Sequence, residues 1–353
     1  MKRSPLLPAD PNFGEGAYGL DVPKDDCLVH LVPVPFEATV SYRAGTAGGP
    51  ASILSASQQV DLFDNDFGRP YRHGIYWHPT DPSIVRFNEE ARVAALPIIE
   101  CLGEVGDDAG LLSELAKVNE RGEWVNSWLE STAEDLLAEG KIVGIVGGDH
   151  SVPFGTIKAH AARYPGMGIL HLDAHADLRC AYEGFTWSHA SIMHNVFQRI
   201  PEVSRIVQVG IRDFCEEETT LIAGARGRIV THFDREMRDR LARGDSFLGY
   251  AEEIVAALPR DVYLSFDIDG LDPALCPNTG TPVPGGLDFH QICGLLKALV
   301  QSGRRIVGFD LVEVAPGKDG SEWDGNVGAR LLYKMIGATV QSRLIALSPT
   351  TLG

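Results

Sequence analysis

No run of this chain stays apolar for the roughly 18 residues that a membrane-spanning helix needs, and the opening from Met1 to Asp10 lacks the apolar segment of a secretory signal. The expected location is therefore the cytoplasm, without a membrane partner. Cysteine is scarce: Cys27, Cys101, Cys180, Cys215, Cys276 and Cys293 form no C-x-x-C pair and no regular framework. That pattern excludes a disulfide scaffold and reads as a reduced chain whose thiols serve as small core residues. Basic residues are also in deficit, 31 Lys and Arg against 48 Asp and Glu, for a formal charge of −17. Nucleic-acid binding needs a basic face to displace counterions, so that class is excluded. A G-x-x-x-x-G-K-[ST] phosphate loop is missing too, and the glycines between Arg43 and Pro50 read as turn chemistry. No internal repeat, low-complexity tract or linker interrupts the sequence.

What is present concentrates in three polar segments: Gly147-Gly148-Asp149-His150-Ser151, Asp173-Ala174-His175-Ala176-Asp177 and Asp267-Ile268-Asp269-Gly270. Each follows a short apolar run that reads as a buried strand, at Ile142–Val146, Gly168–Leu172 and Val262–Phe266. The segments therefore fall at the carboxyl ends of strands, where open α/β sheets place their ligands. Charged and imidazole groups gathered at such ends cannot sit unpaired, because desolvation costs several kcal/mol each, and a cation resolves the repulsion. Four carboxylates (Asp173, Asp177, Asp267, Asp269) and two imidazoles (His150, His175) form a hard-oxygen set with a borderline nitrogen component. That set suits Mn²⁺, and also Ni²⁺, Co²⁺ or Zn²⁺. Six groups exceed the needs of one tetrahedral ion, so two divalent ions bridged by carboxylates and a water are the simplest arrangement.

Further strands are expected at Leu28–Pro33, Arg205–Ile211, Arg228–Phe233 and Arg305–Val314. Helices are expected at Ala51–Gln59, Trp124–Ala138, Val152–Arg163, Tyr250–Leu258, Phe289–Val300 and Asn326–Val340, with helical patterns from Asn88 to Arg121. This alternation predicts an α/β fold, a three-layer α/β/α sandwich with a mostly parallel sheet of about eight strands. Residues 1–26, with Pro5, Pro8, Pro11, Gly14, Gly16, Gly19 and Pro23, read as an irregular arm. A hydrophobic content of 44% is enough to build one large core, so a single catalytic domain is expected over 27–353.

These segments, with Ser265-Phe266 before Asp267, Asp272-Pro273, Gly280-Thr281-Pro282, Gly285-Gly286-Leu287 and Asp310-Leu311-Val312-Glu313-Val314-Ala315-Pro316, give the chain its resemblance to the ureohydrolases, the arginase and agmatinase family. The resemblance runs over nearly the whole chain from about Leu28. It implies an arginase-like sheet, one ion held by His150, Asp173, Asp177 and Asp267, and the other by His175, Asp173, Asp267 and Asp269. Asp177 would also accept a hydrogen bond from the bridging water. Glu313 matches the carboxylate that fixes the substrate guanidinium, and His189 a mobile-loop histidine that shuttles protons. The implied reaction is hydrolysis of a guanidinium C–N bond to urea and an amine, agmatinase-like, with guanidinobutyrate, free guanidine or a small alkylguanidine as alternative substrates. Relatives form homo-oligomers, trimers or hexamers. The chain departs from the family at Ala190, where glycine is usual.

The segment from Asp177 to His194 is expected to face the substrate tail through Arg179, Tyr182, Glu183, Trp187, Ser188 and His194. An aromatic wall with an acidic group suits a cationic or small alkylated tail, whereas Arg179 suits a carboxylate. His30, His73, His78, His160, His171, His232 and His290 lack a second ligand group at suitable spacing and read as hydrogen-bonded structural residues. A different class, a binding or regulatory subunit that merely retains a metal site, is weakened by the filled ligand set together with Glu313 and His189.

Overall fold

In the computed structural model, which describes residues 14–347, runs rich in Val, Ile and Leu form eight strands: β1 (Val29–Val34), β2 (Ile75–Trp77), β3 (Ile142–Gly147), β4 (Gly168–Leu172), β5 (Arg205–Ile211), β6 (Ile229–Phe233), β7 (Asp261–Asp267) and β8 (Arg305–Val312). They make one sheet in the order β2-β1-β3-β8-β7-β4-β5-β6, every pair parallel. Burial of both faces explains the apolar continuity of the central strands, which lack the in-out alternation of a one-sided sheet.

The helices are α1 (Gly49–Ser57), α2 (Pro82–Glu100), α3 (Ala109–Ala138), α4 (Phe154–Arg163), α5 (Ile192–Arg199), α6 (Glu216–Gly224), α7 (Asp234–Ala242), α8 (Phe247–Ala256), α9 (Phe289–Gln301) and α10 (Trp323–Leu347). Two groups of helices cover the sheet. α2, α3, α4 and α5 pack in sequence with one another, and α1, α10, α9 and α8 do the same. The two sets of helices and the sheet give the expected three layers. The larger core lies under the second set and includes Leu170, Leu264, Phe309, Leu299 and Ile336. Each such side chain contributes about 1.5–3 kcal/mol on burial.

Several boundaries differ from expectation for physical reasons. β2 has only three residues between Gly74 and His78, too short to leave a periodic signal. α3 runs unbroken through Arg121, capped at its start by Asp108, whose carboxylate accepts the Gly110 and Leu111 amides. β8 stops at Val312 because Glu313 turns into the left-handed region with φ 63. α6 and α7, nine residues each, are not among the expected helices. Of the expected N-terminal arm, residues 1–13 lie outside the described ones, as do residues 348–353. The rest is docked on the body: Tyr18 is fully buried, its hydroxyl donates to the Ala329 carbonyl at 3.0 Å, and its ring lies 4.8 Å from that of Tyr333.

Candidate active site

The strand order brings β3, β8, β7 and β4 side by side, so the residues that follow them meet at one carboxyl-terminal edge. After β3, a side chain on Gly148 would overlap the Phe36 backbone, so only glycine fits this approach. Asp149 then accepts the Ser151 amide at 3.0 Å, which turns His150 inward. After β4 come Asp173, His175 and Asp177, and after β7 come Asp267 and Asp269, with the Asp269 amide donating to Asp267 Oδ1 at 2.8 Å.

His150 Nδ1 lies 2.9 Å from Asp173 Oδ2, 3.2 Å from Asp177 Oδ2 and 3.4 Å from Asp267 Oδ2. Its other ring nitrogen faces Ser265 Oγ at 2.9 Å, and Ser265 donates to Asp310 Oδ1 at 3.0 Å. A second group forms around His175, whose Nδ1 is 3.1 Å from Asp269 Oδ2 and 3.4 Å from Asp173 Oδ1. Asp173 thus offers one oxygen to each group. Asp267 joins the first group through Oδ2 while its Oδ1 is held by the Asp269 amide.

The electrostatics of this cluster are those of a cation site. Burial, then the neighbouring Asp173 charge, pushes the Asp177 carboxyl up to about 7. Burial together with Asp269 and Asp173 raises Asp267 well above the carboxylate range. Burial opposes charge on His150, yet the hydrogen bonds that Asp173, Asp177 and Asp267 accept from it lift it well above an ordinary imidazole. Three carboxylates around one nitrogen, a second pair around another, and a shared Asp173 are a donor set that fits two divalent ions. His150, His171, Asp173 and Asp177 bring ligand atoms within 4.8 Å of one another, and Asp173, His175 and Asp269 do the same.

Glu313 is buried, 4% exposed; its Oε1 accepts the His150 amide at 3.0 Å and its Oε2 lies against Gly280. Burial, then the Asp149 charge, raises its carboxyl well above the usual range. Glu313 and Asp177, with φ 63 and 54, both hold left-handed backbone that costs non-glycine residues about 1–3 kcal/mol. The Gly148 carbonyl accepts the Glu313 amide at 2.7 Å, and the Asp177 carbonyl accepts the His194 amide at 3.0 Å, which secures both turns.

A cavity of about 150 Å³ opens over the cluster, walled by Ser41, Arg179, Tyr182, His189, Asp213, Phe214, Glu218 and Thr281 around His175 and Asp177. The rings of Tyr182 and His189 meet edge to face at 5.9 Å, and the Arg179 guanidinium lies 5.3 Å from the Tyr182 ring centre. Burial, and the charge of His175 and His150, push His189 down to about 4, so it rests neutral.

Of the residues expected to face the tail, Arg179 and Tyr182 line this cavity, whereas Glu183, Trp187, Ser188 and His194 are not part of its wall. Trp187 packs into the core against Phe154 at 4.8 Å and over Gly122 of α3. Ser188 is buried and caps the turn, accepting the Ala190 amide at 3.2 Å. Glu183 packs its backbone against Gly103, and His194 is carried on α5. Asp213 and Phe214 escaped the sequence reading although they follow β5, and the strand-end rule would have found them. His171, expected to be a structural histidine without a second ligand group at suitable spacing, is fully buried with its Nε2 2.9 Å from Asp173 Oδ2.

A model of the Arginase family matches residues 28–337. The chain is 32% identical over 326 residues to the N(1)-aminopropylagmatine ureohydrolase of Thermus thermophilus, covering 92% of this chain and 93% of that protein. It is 32% identical over 307 residues to the agmatinase of Klebsiella pneumoniae, covering 87% and 85%. Among solved structures, the proclavaminate amidino hydrolase from Streptomyces clavuligerus superposes with a TM-score of 0.70 at 22% identity, covering 94% of this chain and all of that one (100%). The agmatine ureohydrolase of Thermoplasma volcanium gives 0.68 at 23% identity, covering 92% and 93%.

Proposed function

The chain belongs to the arginase family, and on that premise we propose that it hydrolyses the guanidinium C–N bond of a small agmatine-type compound, releasing urea and an amine. The single observation that carries the reading is the sharing of Asp173 between the His150 and His175 groups. His150, Asp173, Asp177 and Asp267 would hold one divalent ion, and His175, Asp173, Asp267 and Asp269 the other, with Mn²⁺ favoured over Ni²⁺ for this oxygen-rich set. When bound, such ions lower the pKa of a water toward neutrality and offset the carboxylate charge.

The protein's own groups supply the rest. Glu313 offers a carboxylate to the guanidinium NH₂ groups, a match of planar forks. Asp177 would accept a hydrogen bond from the water that attacks the guanidinium carbon, its turn secured through His194. His189, neutral in the cavity wall, takes up a proton from solvent and delivers it to the departing amine. Tyr182 offers a ring face to a cationic tail. Both named relatives act, by their names, on agmatine or its aminopropyl derivative, which favours such a tail. Arg179 in the same wall favours a carboxylate-tailed substrate such as guanidinobutyrate as the second reading. We read residues 27–353 as one cytoplasmic catalytic domain in a homo-oligomer, trimer or hexamer. Among the described residues no helix is long and apolar enough to cross a membrane.

The test is urea release by protein loaded separately with Mn²⁺ and Ni²⁺, across agmatine, N(1)-aminopropylagmatine, arginine, guanidinobutyrate and guanidine. Urea from the agmatine compounds is expected. Turnover of none of them by metal-loaded protein would leave a binding subunit as the answer.

A further inference from the structure

Parallel pairing sets His171 of β4 opposite Gln208 of β5, and Gln208 opposite Thr231 of β6. Directly paired residues project from the same face of a sheet, so the three side chains form one row. His171 and Gln208 are fully buried. The row is joined by hydrogen bonds: Thr231 Oγ1 to Gln208 Oε1 at 2.8 Å, Gln208 Nε2 to His171 Nδ1 at 3.1 Å, and His171 Nε2 to Asp173 Oδ2 at 2.9 Å. Gln208 Nε2 also meets the Ala176 carbonyl at 2.7 Å.

That last contact fixes every proton in the chain. A backbone carbonyl only accepts, so the Gln208 atom facing it is the NH₂ group, and Oε1 is left to accept from Thr231. The same NH₂ donates to His171 Nδ1, which must then present a lone pair. The imidazole proton therefore sits on Nε2 and points at Asp173.

We infer that Thr231, Gln208 and His171 form a tautomer lock, which makes His171 a positioning donor to Asp173 and bars it from becoming a further metal ligand. The inference rests on the metal-centre reading above. His171 stands among the groups able to reach an ion with His150, Asp173 and Asp177, but a protonated Nε2 has no lone pair to give. Its N–H instead holds Asp173 Oδ2 on the His150 side, while the His175 amide holds Oδ1 on the other at 2.6 Å. The carboxylate is clamped at both oxygens, each aimed at one group. Outer partners of this kind usually set metal affinity by about 10–100-fold.

The test pairs two readouts on the full-length protein. Nitrogen-15 spectra of histidine-labelled, metal-free protein at neutral pH should show His171 in the Nε2–H form, and Gln208→Glu, whose carboxylate accepts at Nδ1, should add a proton there and give the doubly protonated ring. Manganese titration should show His171→Leu binding about 10–100-fold more weakly, and His171→Gln, whose amide can donate from nearly the place of Nε2, recovering most of the loss. An Nδ1–H or doubly protonated His171 in the wild type would overturn the inference, as would His171→Leu binding manganese like the wild type. If the wild type itself binds no manganese, the metal-centre reading fails instead. If His171→Leu does not fold, the wild-type spectrum alone still decides the tautomer.

Discussion

Glu313 Oε1 accepts the backbone N–H of His150 at 3.0 Å, tying the turn after β8 to the loop after β3. The carboxylate proposed to hold the substrate is thus anchored to the residue at the centre of the first metal-ligand group. One oxygen is held by that backbone amide, and the other lies against Gly280.

Glu313→Gln keeps an acceptor for the His150 amide but removes the charge that pairs with guanidinium. Folding should be intact, and kcat/KM for agmatine should fall roughly 10–150-fold, the equivalent of a charged hydrogen bond of about 1.5–3 kcal/mol. Steady-state kinetics alongside a thermal melt separate this from unfolding. An unchanged kcat/KM would remove Glu313 from substrate binding.

Metal removal should destabilise the fold, because four carboxylates in a buried cluster repel without a cation. Adding Mn²⁺ to chelator-treated protein should raise the melting temperature in a concentration-dependent way, each site adding about 2.7 kcal/mol of stability at a hundredfold excess over its Kd. Asp173→Asn, which touches both groups, should abolish that gain and the urea release with it. A melting temperature indifferent to manganese would count against the site.

His160, buried on α4 with Nδ1 2.8 Å from the Thr156 carbonyl, is pushed down to about 4 by burial, with Arg343 adding to the effect. The unfolded chain takes a proton near roughly pH 6.5 that the folded protein refuses. Stability from this group is therefore complete above about pH 6.5 and is lost as pH falls toward about 4, by about 3 kcal/mol. Urea denaturation of wild type and His160→Gln over that range should show a shallower decline in the variant.

Tyr182 and Arg179 should divide the substrates by tail charge. Tyr182→Ala should raise KM for agmatine roughly 2–30-fold with a smaller effect on kcat, in keeping with a cation–π contact of about 0.5–2 kcal/mol. Arg179→Gln should improve agmatine relative to guanidinobutyrate. The opposite ranking would establish the carboxylate-tailed substrate.

The strand ends carrying His150, Asp173, His175, Asp177, Asp267 and Asp269 were legible because apolar runs end abruptly in charged residues. The insertion of β8 between β3 and β7, which delivers Glu313 to the same edge, was not, since strand order leaves no trace in local pattern. His171 looked solitary for the same reason: its partners Gln208 and Thr231 are neighbours only through cross-strand register. Trp187 misled in the other direction. Its place in a polar loop resembled a pocket wall, but Gly122 leaves a hollow on α3 that Trp187 fills, and a Cβ there would come within 2.7 Å of the Trp187 Cβ and 3.0 Å of the indole.

The most direct test of the shared-carboxylate centre is manganese stoichiometry measured together with electron paramagnetic resonance on the urea-releasing protein. Two ions per chain, with the spectrum of an exchange-coupled pair that Asp173→Asn abolishes, is the predicted result. One ion per chain, or two that are magnetically independent in fully active protein, would contradict it.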